Sequence, residues 1–382
     1  MFNRTLLLIL FIFCSLTFAR DFGVPDPPVP TDLPAYWKST LSDIDMEIKQ
    51  ISKGETSIIA RSPGGFPVYL VTYGEKQDFH STANYNSAVG AHNPASYAHK
   101  DSTTNPVLFF LGPVHGHEIE GIVGLVNFIH VLETGMDYRG KAWPELAAKA
   151  AKCRILIIPC ANPDGRNRCP YNSFMGLPTK TMTKYGQGTR KDGSLYGWPD
   201  VKAIHPMRGD VGILGAYFNN DGVNPMHDDF FAPMAAETRA ILDLTRAEAP
   251  DLSVSLHSHE VESNILQVDY EPMFIKKWVT ELSKKLQQRY VNAGLPYGPI
   301  QNPGIEDETF PPVHSFNLIS AMHHISGTMA ITFECRHGCI SENTPNTPIT
   351  FENILDMELN LYDVMLEYAL QNRLYWGKNR ND

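Results

Sequence analysis

The chain has little that would tie it to a nucleic acid, a membrane interior or a disulfide-built scaffold. Acidic residues outnumber basic ones, 42 Asp and Glu against 32 Lys and Arg, for a formal net charge of −10. A phosphate backbone calls for a basic face, so no nucleic-acid partner is expected. Apolar runs long enough to cross a bilayer are also missing. The nearest approach, Leu6–Phe13, falls short of the roughly 20 residues required. That run follows Arg4 and leads to Thr17-Phe18-Ala19, the three-part pattern of a secretory signal. Residues 1–19 are therefore expected to be a signal peptide. The mature protein is expected to be secreted, extracellular or periplasmic, with no stable membrane insertion after cleavage.

Cysteine is sparse, with 6 in the chain, and Cys14 would leave with the signal. The odd remainder leaves at least one free thiol or an intermolecular bond. Cys153 and Cys160 would stand roughly 23 Å apart on an extended strand, too far to bridge. Cys335 with Cys339, or Cys160 with Cys169, is sterically easier. Nothing resembles an internal repeat, and no composition shift marks a second domain.

What is present reads as one large globular unit, since 382 residues at 43% hydrophobic can bury a full core. Residues 20–44 form a proline-rich lead-in, and 45–372 the expected catalytic domain. A helix is predicted over 36–52. Two strands follow at 56–61 and 66–72, turned by Pro63-Gly64-Gly65. The polar stretch 75–104 reads as a long surface loop or insertion. Strands are predicted at 106–112, 153–160, 252–256 and 329–333, each a short apolar run. Helices are predicted at 118–134, 235–248, 273–292 and 351–370, with a long Gly- and Pro-rich stretch over 166–234. Apolar strands alternating with helices indicate an α/β fold: a single domain whose mixed, mostly parallel sheet is flanked by helices.

Chemistry collects where the four apolar strands end. The first leads into His115-Gly116-His117-Glu118, the second into Asn162-Pro163-Asp164-Gly165, the third into His257-Ser258-His259-Glu260, and the fourth into Glu334. Sites of open α/β sheets lie at that edge. His115 and Glu118, three apart across a strand-to-helix turn, can offer an imidazole nitrogen and a carboxylate oxygen to one ion. His257 from a neighbouring strand completes a His₂Glu set, which leaves a catalytic zinc an open position for water. His259 and Glu260 repeat the same spacing, so a second metal stays open, while His117 and His259 read as rim or supporting residues. A carboxylate at a buried strand end either pairs with a cation such as Arg336 or works as a general base, and Glu334 is read as the base.

These pieces together resemble the zinc metallocarboxypeptidase family, the carboxypeptidase A-like superfamily. The match runs in order through Gly-Pro-Val-His115-Gly-His-Glu118, Asn162-Pro-Asp-Gly165, Leu-His257-Ser and Thr-Phe-Glu334, with a family-like opening hairpin at 63–74. The resemblance implies one zinc per chain on His115, Glu118 and His257, with Glu334 as the catalytic glutamate. The substrate would be a peptide or peptide-like molecule cleaved at its C-terminal bond. Members that clamp a terminal carboxylate usually carry Asp-x-Asn-Arg where this chain reads Tyr217-Phe218-Asn219-Asn220. Asn219 and Asn220 are thus candidate substrate-binding residues without the guanidinium. Tyr217 stands where an aspartate would orient a ligating histidine. For the oxyanion-stabilising arginine, Arg190 is preferred over Arg168. The altered clamp keeps open a zinc amidohydrolase or deacylase acting on a cell-wall peptide or an N-acyl amino acid. It also keeps open a non-catalytic binding protein on the same scaffold.

Overall fold

The computed structural model describes residues 26–301, 315–341, 348–372 and 374; the predicted signal peptide lies outside them. Four strands buried along almost their whole length make the middle of a seven-stranded sheet. They are β3 (Val107–Leu111), β4 (Arg154–Ile158), β5 (Leu252–His259) and β7 (Met329–Arg336), and they run parallel to one another. The hairpin β1 (Glu55–Arg61) and β2 (Pro67–Tyr73) adds antiparallel strands beside β4, and β6 (Asn264–Leu266) adds another beside β7. The order is β1-β2-β4-β3-β5-β7-β6. This is the mixed, mostly parallel sheet that the alternation of strands and helices predicts.

Alternate residues of the central strands feed opposite layers, as the two-residue period of a strand requires. Leu108, Phe110, Ile155, Ile157, Val254, Ile331 and Phe333 enter one core. There they meet α3 (Glu120–Thr134), α8 (Met273–Ala293) and α10 (Phe351–Gln371). Phe109, Leu111, Leu156, Ile158 and Ala330 point the other way, toward α2 (Tyr85–Gly90), α7 (Ala236–Glu248) and α9 (Leu318–Ser326). Phe110, Phe128 and Tyr362 lock the first layer, with ring centroids 5.0–5.3 Å apart. Each such aromatic pair adds about 0.5–1.5 kcal/mol beyond its buried area.

Several elements depart from the sequence reading. The predicted first helix is shorter, α1 (Leu41–Gln50), started by a capping box between Thr40 and Asp43. The stretch 75–104 is no free surface loop: it carries α2 and buries Phe79, Tyr85, Tyr97 and Lys100 against the second layer. Lys100 donates to the Ala249 carbonyl and lies 2.9 Å from Asp251 with both side chains nearly inaccessible. Short helices α4 (Pro144–Ala150), α5 (Pro163–Arg168) and α6 (Thr179–Gly186) have no counterpart in the sequence reading. Cys153, Cys160, Cys169, Cys335 and Cys339 are all buried and free, so neither easier pairing forms. No helix among the described residues is long and apolar enough to cross a membrane.

Candidate metal centre

The connection out of β3 goes to β4 on one side, and the chain later returns to place β5 on the other. Residues after β3 and at the end of β5 therefore meet at a topological switch point, where open α/β sheets leave a crevice. His115 and Glu118 lie in the turn from β3 to α3, and His257 is the sixth residue of β5. The turn is tight. A Cβ on Gly116 would come within 2.0 Å of the Arg166 backbone nitrogen, so only glycine lets it lie against α5. Asn162 braces it from below: its Oδ1 accepts from Gly165 N at 2.9 Å as the cap of α5, and its Nδ2 donates to Val114 O at 3.1 Å. The Asn-Pro-Asp-Gly run is thus a helix start rather than a simple turn.

Glu118 stands between the two imidazoles. Its Oε1 is 2.8 Å from His115 Nδ1 and its Oε2 is 2.8 Å from His257 Nδ1. One donor atom from each residue falls within 4.8 Å of the others, and among the described residues no other His/Cys/Asp/Glu group does so. All three are buried, at 4%, 6% and 4% exposed. Burial works against the Glu118 charge, yet the two histidines hold its carboxyl well below the usual range. Burial lowers His115, whereas His257 is held above its ordinary value by Glu118 and Glu334 against the same burial. The donor chemistry fits zinc, with two imidazole nitrogens and a carboxylate that has no other cation to neutralise it.

The surrounding groups orient these donors. His257 Nε2 lies 3.0 Å from Ser255 Oγ, two residues back on the same strand face. His115 Nε2, by contrast, is buried with no hydrogen-bond partner. Its ring is held by Tyr217, stacked at 3.7 Å and only 6° from parallel. His117 is buried beside them, and burial pushes its pKa down to about 4. His259 turns away, its Nε2 on Glu262 O at 3.1 Å, and Glu260 takes the Thr179 hydroxyl at 3.3 Å.

Glu334 pairs with His257 in the parallel register of β5 and β7, so both side chains emerge side by side on one sheet face. It is partly open to solvent and makes no hydrogen bond among the described residues, while Arg336 lies 3.8 Å from Glu262 instead. Burial pushes the Glu334 carboxyl up to about 7, opposed by His257 and by Lys202 and reinforced by Glu118.

The structure does not bring the remaining candidates to this cluster. Arg190 donates to Leu195 O at 2.7 Å and covers the Tyr196 ring at 4.5 Å. Asn219 is fully buried, its Oδ1 accepting from Asp221 N and Val223 N and its Nδ2 facing Glu237. Asn220 gives its backbone N–H to Asp164 at 2.8 Å and its side-chain oxygen to Arg168. Arg168, the alternative arginine, is engaged with that same turn through Gly215 O and Phe218 O. Two groups the sequence reading did not select act on the cluster through space: Lys202, on Glu334 and both histidines, and His227. Both lie in the Gly- and Pro-rich stretch, where no periodicity separates them from other polar residues.

Residues 41–293 match the zinc carboxypeptidase family model, a span that ends before Glu334. No curated protein matches the sequence. Among solved structures the fold is similar to the metallo-carboxypeptidase from Burkholderia cenocepacia, with TM-score 0.50, 14% identity, and 86% of this chain and 69% of that one covered. It is similar to thrombin activatable fibrinolysis inhibitor, with TM-score 0.51, 12% identity, and 88% and 76% covered. The bovine form of that inhibitor, in complex with tick carboxypeptidase inhibitor, gives TM-score 0.50, 11% identity, and 88% and 99% covered. At such identities the likeness is one of fold. The family match spans well over half of the chain, on a sheet and donor set that agree with it: the protein belongs to the zinc carboxypeptidase family and is a metal-dependent hydrolase.

Proposed function

We propose that the protein is an exported peptidase that hydrolyses C-terminal peptide bonds, with one zinc per chain held by His115, Glu118 and His257. Zinc at these donors supplies Lewis acidity for the scissile carbonyl and brings the pKa of water to about 7. The chain's own part falls to Glu334. Its carboxyl makes no hydrogen bond among the described residues and is raised by burial, which suits it to accept a proton and to return it. As carboxylate it takes a proton from the attacking water, and as carboxylic acid it returns that proton to the leaving amine. Tyr217 and Ser255 keep the two imidazoles aimed at the shared point.

The observation that carries this reading is the register pair His257–Glu334, which sets an unengaged carboxylate next to the donor triad. Glu334→Gln is expected to abolish turnover of a peptide pool while zinc stays bound; wild-type activity in that variant would remove Glu334 from the mechanism. A second reading, a zinc amidohydrolase that needs no terminal carboxylate, is favoured by Asn220 and by the engagement of Arg168 with its own turn. Paired free-acid and amidated peptides separate the two, since equal rates on both would exclude a strict carboxypeptidase.

A further inference from the structure

A terminal carboxylate needs a cation with donors to spare. Three arginines of the surrounding loops are already committed elsewhere: Arg166 to Ser39 O, Cys169 O and Asn172, Arg168 to the 215–220 turn, and Arg190 to Leu195 O and the Tyr196 ring. Lys202 differs from all three. Its ammonium makes no hydrogen bond or ion pair among the described residues and lies 5.0 Å over the Trp198 ring.

The backbone brings that lysine to the metal centre. It ends the single 3-10 turn Asp200–Lys202, whose Val201 is fully buried in one cluster with Tyr217, the ring stacked on His115. One residue beyond Val201, the flexible Lys202 stem emerges into solvent. A second turn, Pro225–His227, is tied to the same segment. Asn224 N donates to His205 Nε2 at 2.8 Å, and Met207 N donates to Gly222 O at 2.7 Å. On it the half-buried His227 makes no side-chain hydrogen bond among the described residues, and the charges of His115 and His257 bear on its ring through space. Glu334 sets a carboxylate beside the donors, so an anionic group of the substrate is better held by a cation that stands apart from it.

We propose that Lys202, assisted by His227, anchors the substrate's terminal carboxylate in place of the arginine that Asn220 replaces. The ammonium supplies charge and a donor, and the imidazole supplies one N–H. This assignment rests on the peptidase reading above and sharpens it to peptides with a free C-terminus. Lys202 acts as a specificity-determining residue and takes no part in proton transfer.

The test is steady-state kinetics of the zinc-loaded full chain on matched peptides ending in a carboxylate or a carboxamide. Lys202→Met is expected to raise KM for the free acid about 10- to 100-fold, the worth of a charged hydrogen bond. It should leave kcat within about twofold and the amide unaffected, and Lys202→Arg should restore most of the loss. His227→Gln should raise the free-acid KM by a smaller factor, with kcat unchanged. Equal losses on both peptides, a fall in kcat at constant KM, or no change in either would overturn the assignment. If wild-type protein turns over neither peptide, the peptidase reading fails separately. Equilibrium binding of the free-acid peptide to zinc-loaded Glu334→Gln then decides the anchor alone: tenfold or more weakening by Lys202→Met supports it, and unchanged binding rejects it.

Discussion

Tyr217 gives the sharpest test of how the metal donors are held. A ligating histidine is normally oriented by a hydrogen bond at its other ring nitrogen, but His115 Nε2 is buried without a partner. What fixes the ring instead is the Tyr217 face, 3.7 Å away and 6° from parallel, with Tyr217 itself only 7% exposed. Tyr217→Leu keeps an apolar filler and removes the stack. An aromatic stack is worth about 0.5–1.5 kcal/mol beyond buried area, so zinc affinity should fall about 2- to 12-fold at 1.4 kcal/mol per tenfold. Tyr217→Phe keeps the ring and should bind zinc within about twofold of wild type. Competition against a chromogenic chelator at fixed pH reads both. Unchanged affinity in Tyr217→Leu, or an equal loss in Tyr217→Phe, would refute the stacking account, the second because it would assign the effect to the hydroxyl.

Two predictions concern the fold beneath the site. Glu358 is fully buried with Oε1 unpartnered and Oε2 accepting from Tyr362 at 2.8 Å, and burial pushes its carboxyl from an ordinary 4.5 up to about 8. Between those values the folded chain keeps a proton that the unfolded chain releases. Its contribution therefore declines as pH rises, by about 1.4 kcal/mol per unit. Glu358→Gln should remove that slope, so its advantage over wild type in urea unfolding grows from pH 5 to pH 8; parallel pH curves would show that Glu358 is ionised in the fold. Lys100→Met leaves Asp251 buried without its cation and should destabilise by about 3–5 kcal/mol in the same assay. A change below 1 kcal/mol, itself about the size of one ordinary hydrogen bond, would mean the pair is already hydrated.

The parts of the fold legible in the sequence are those set by contiguous local pattern. The four central strands are buried on both faces because helices cover both sides of the sheet, so β3, β4 and β7 stand out as short apolar runs and β5 as Leu-Ser-Val-Ser-Leu. Their ends carry the polar clusters because a parallel sheet opens at that edge. α6 escaped because it lies in Gly- and Pro-rich sequence, and both α4 and α6 span only about two turns, too short to show a helical period and dependent on tertiary contacts. The packing of the stretch 75–104 was not legible because its polar composition outweighs five inward residues, Phe79, Tyr85, Ala88, Tyr97 and Lys100, spaced too irregularly for any period.

In the site, the gathering of His115, Glu118 and His257 was legible by spacing from strand ends, but the pairing of His257 with Glu334 is a matter of register between distant strands. The reach of Arg190, the burial of Asn219 and the approach of Lys202 depend on how loops 166–234 fold back across that edge. No local signal encodes such long-range placement. The Tyr217 substitution was visible; that its ring would replace a hydrogen bond by stacking was not.

Metal content bears most directly on the central claim. Zinc per chain should be measured after equilibrium dialysis of wild type, Glu334→Gln, His115→Ala and His257→Ala, each checked for native helix content. The account predicts one zinc per chain in the first two and strongly reduced zinc in both histidine variants. Two zinc ions per wild-type chain, none at all, or undiminished zinc in either histidine variant would contradict it.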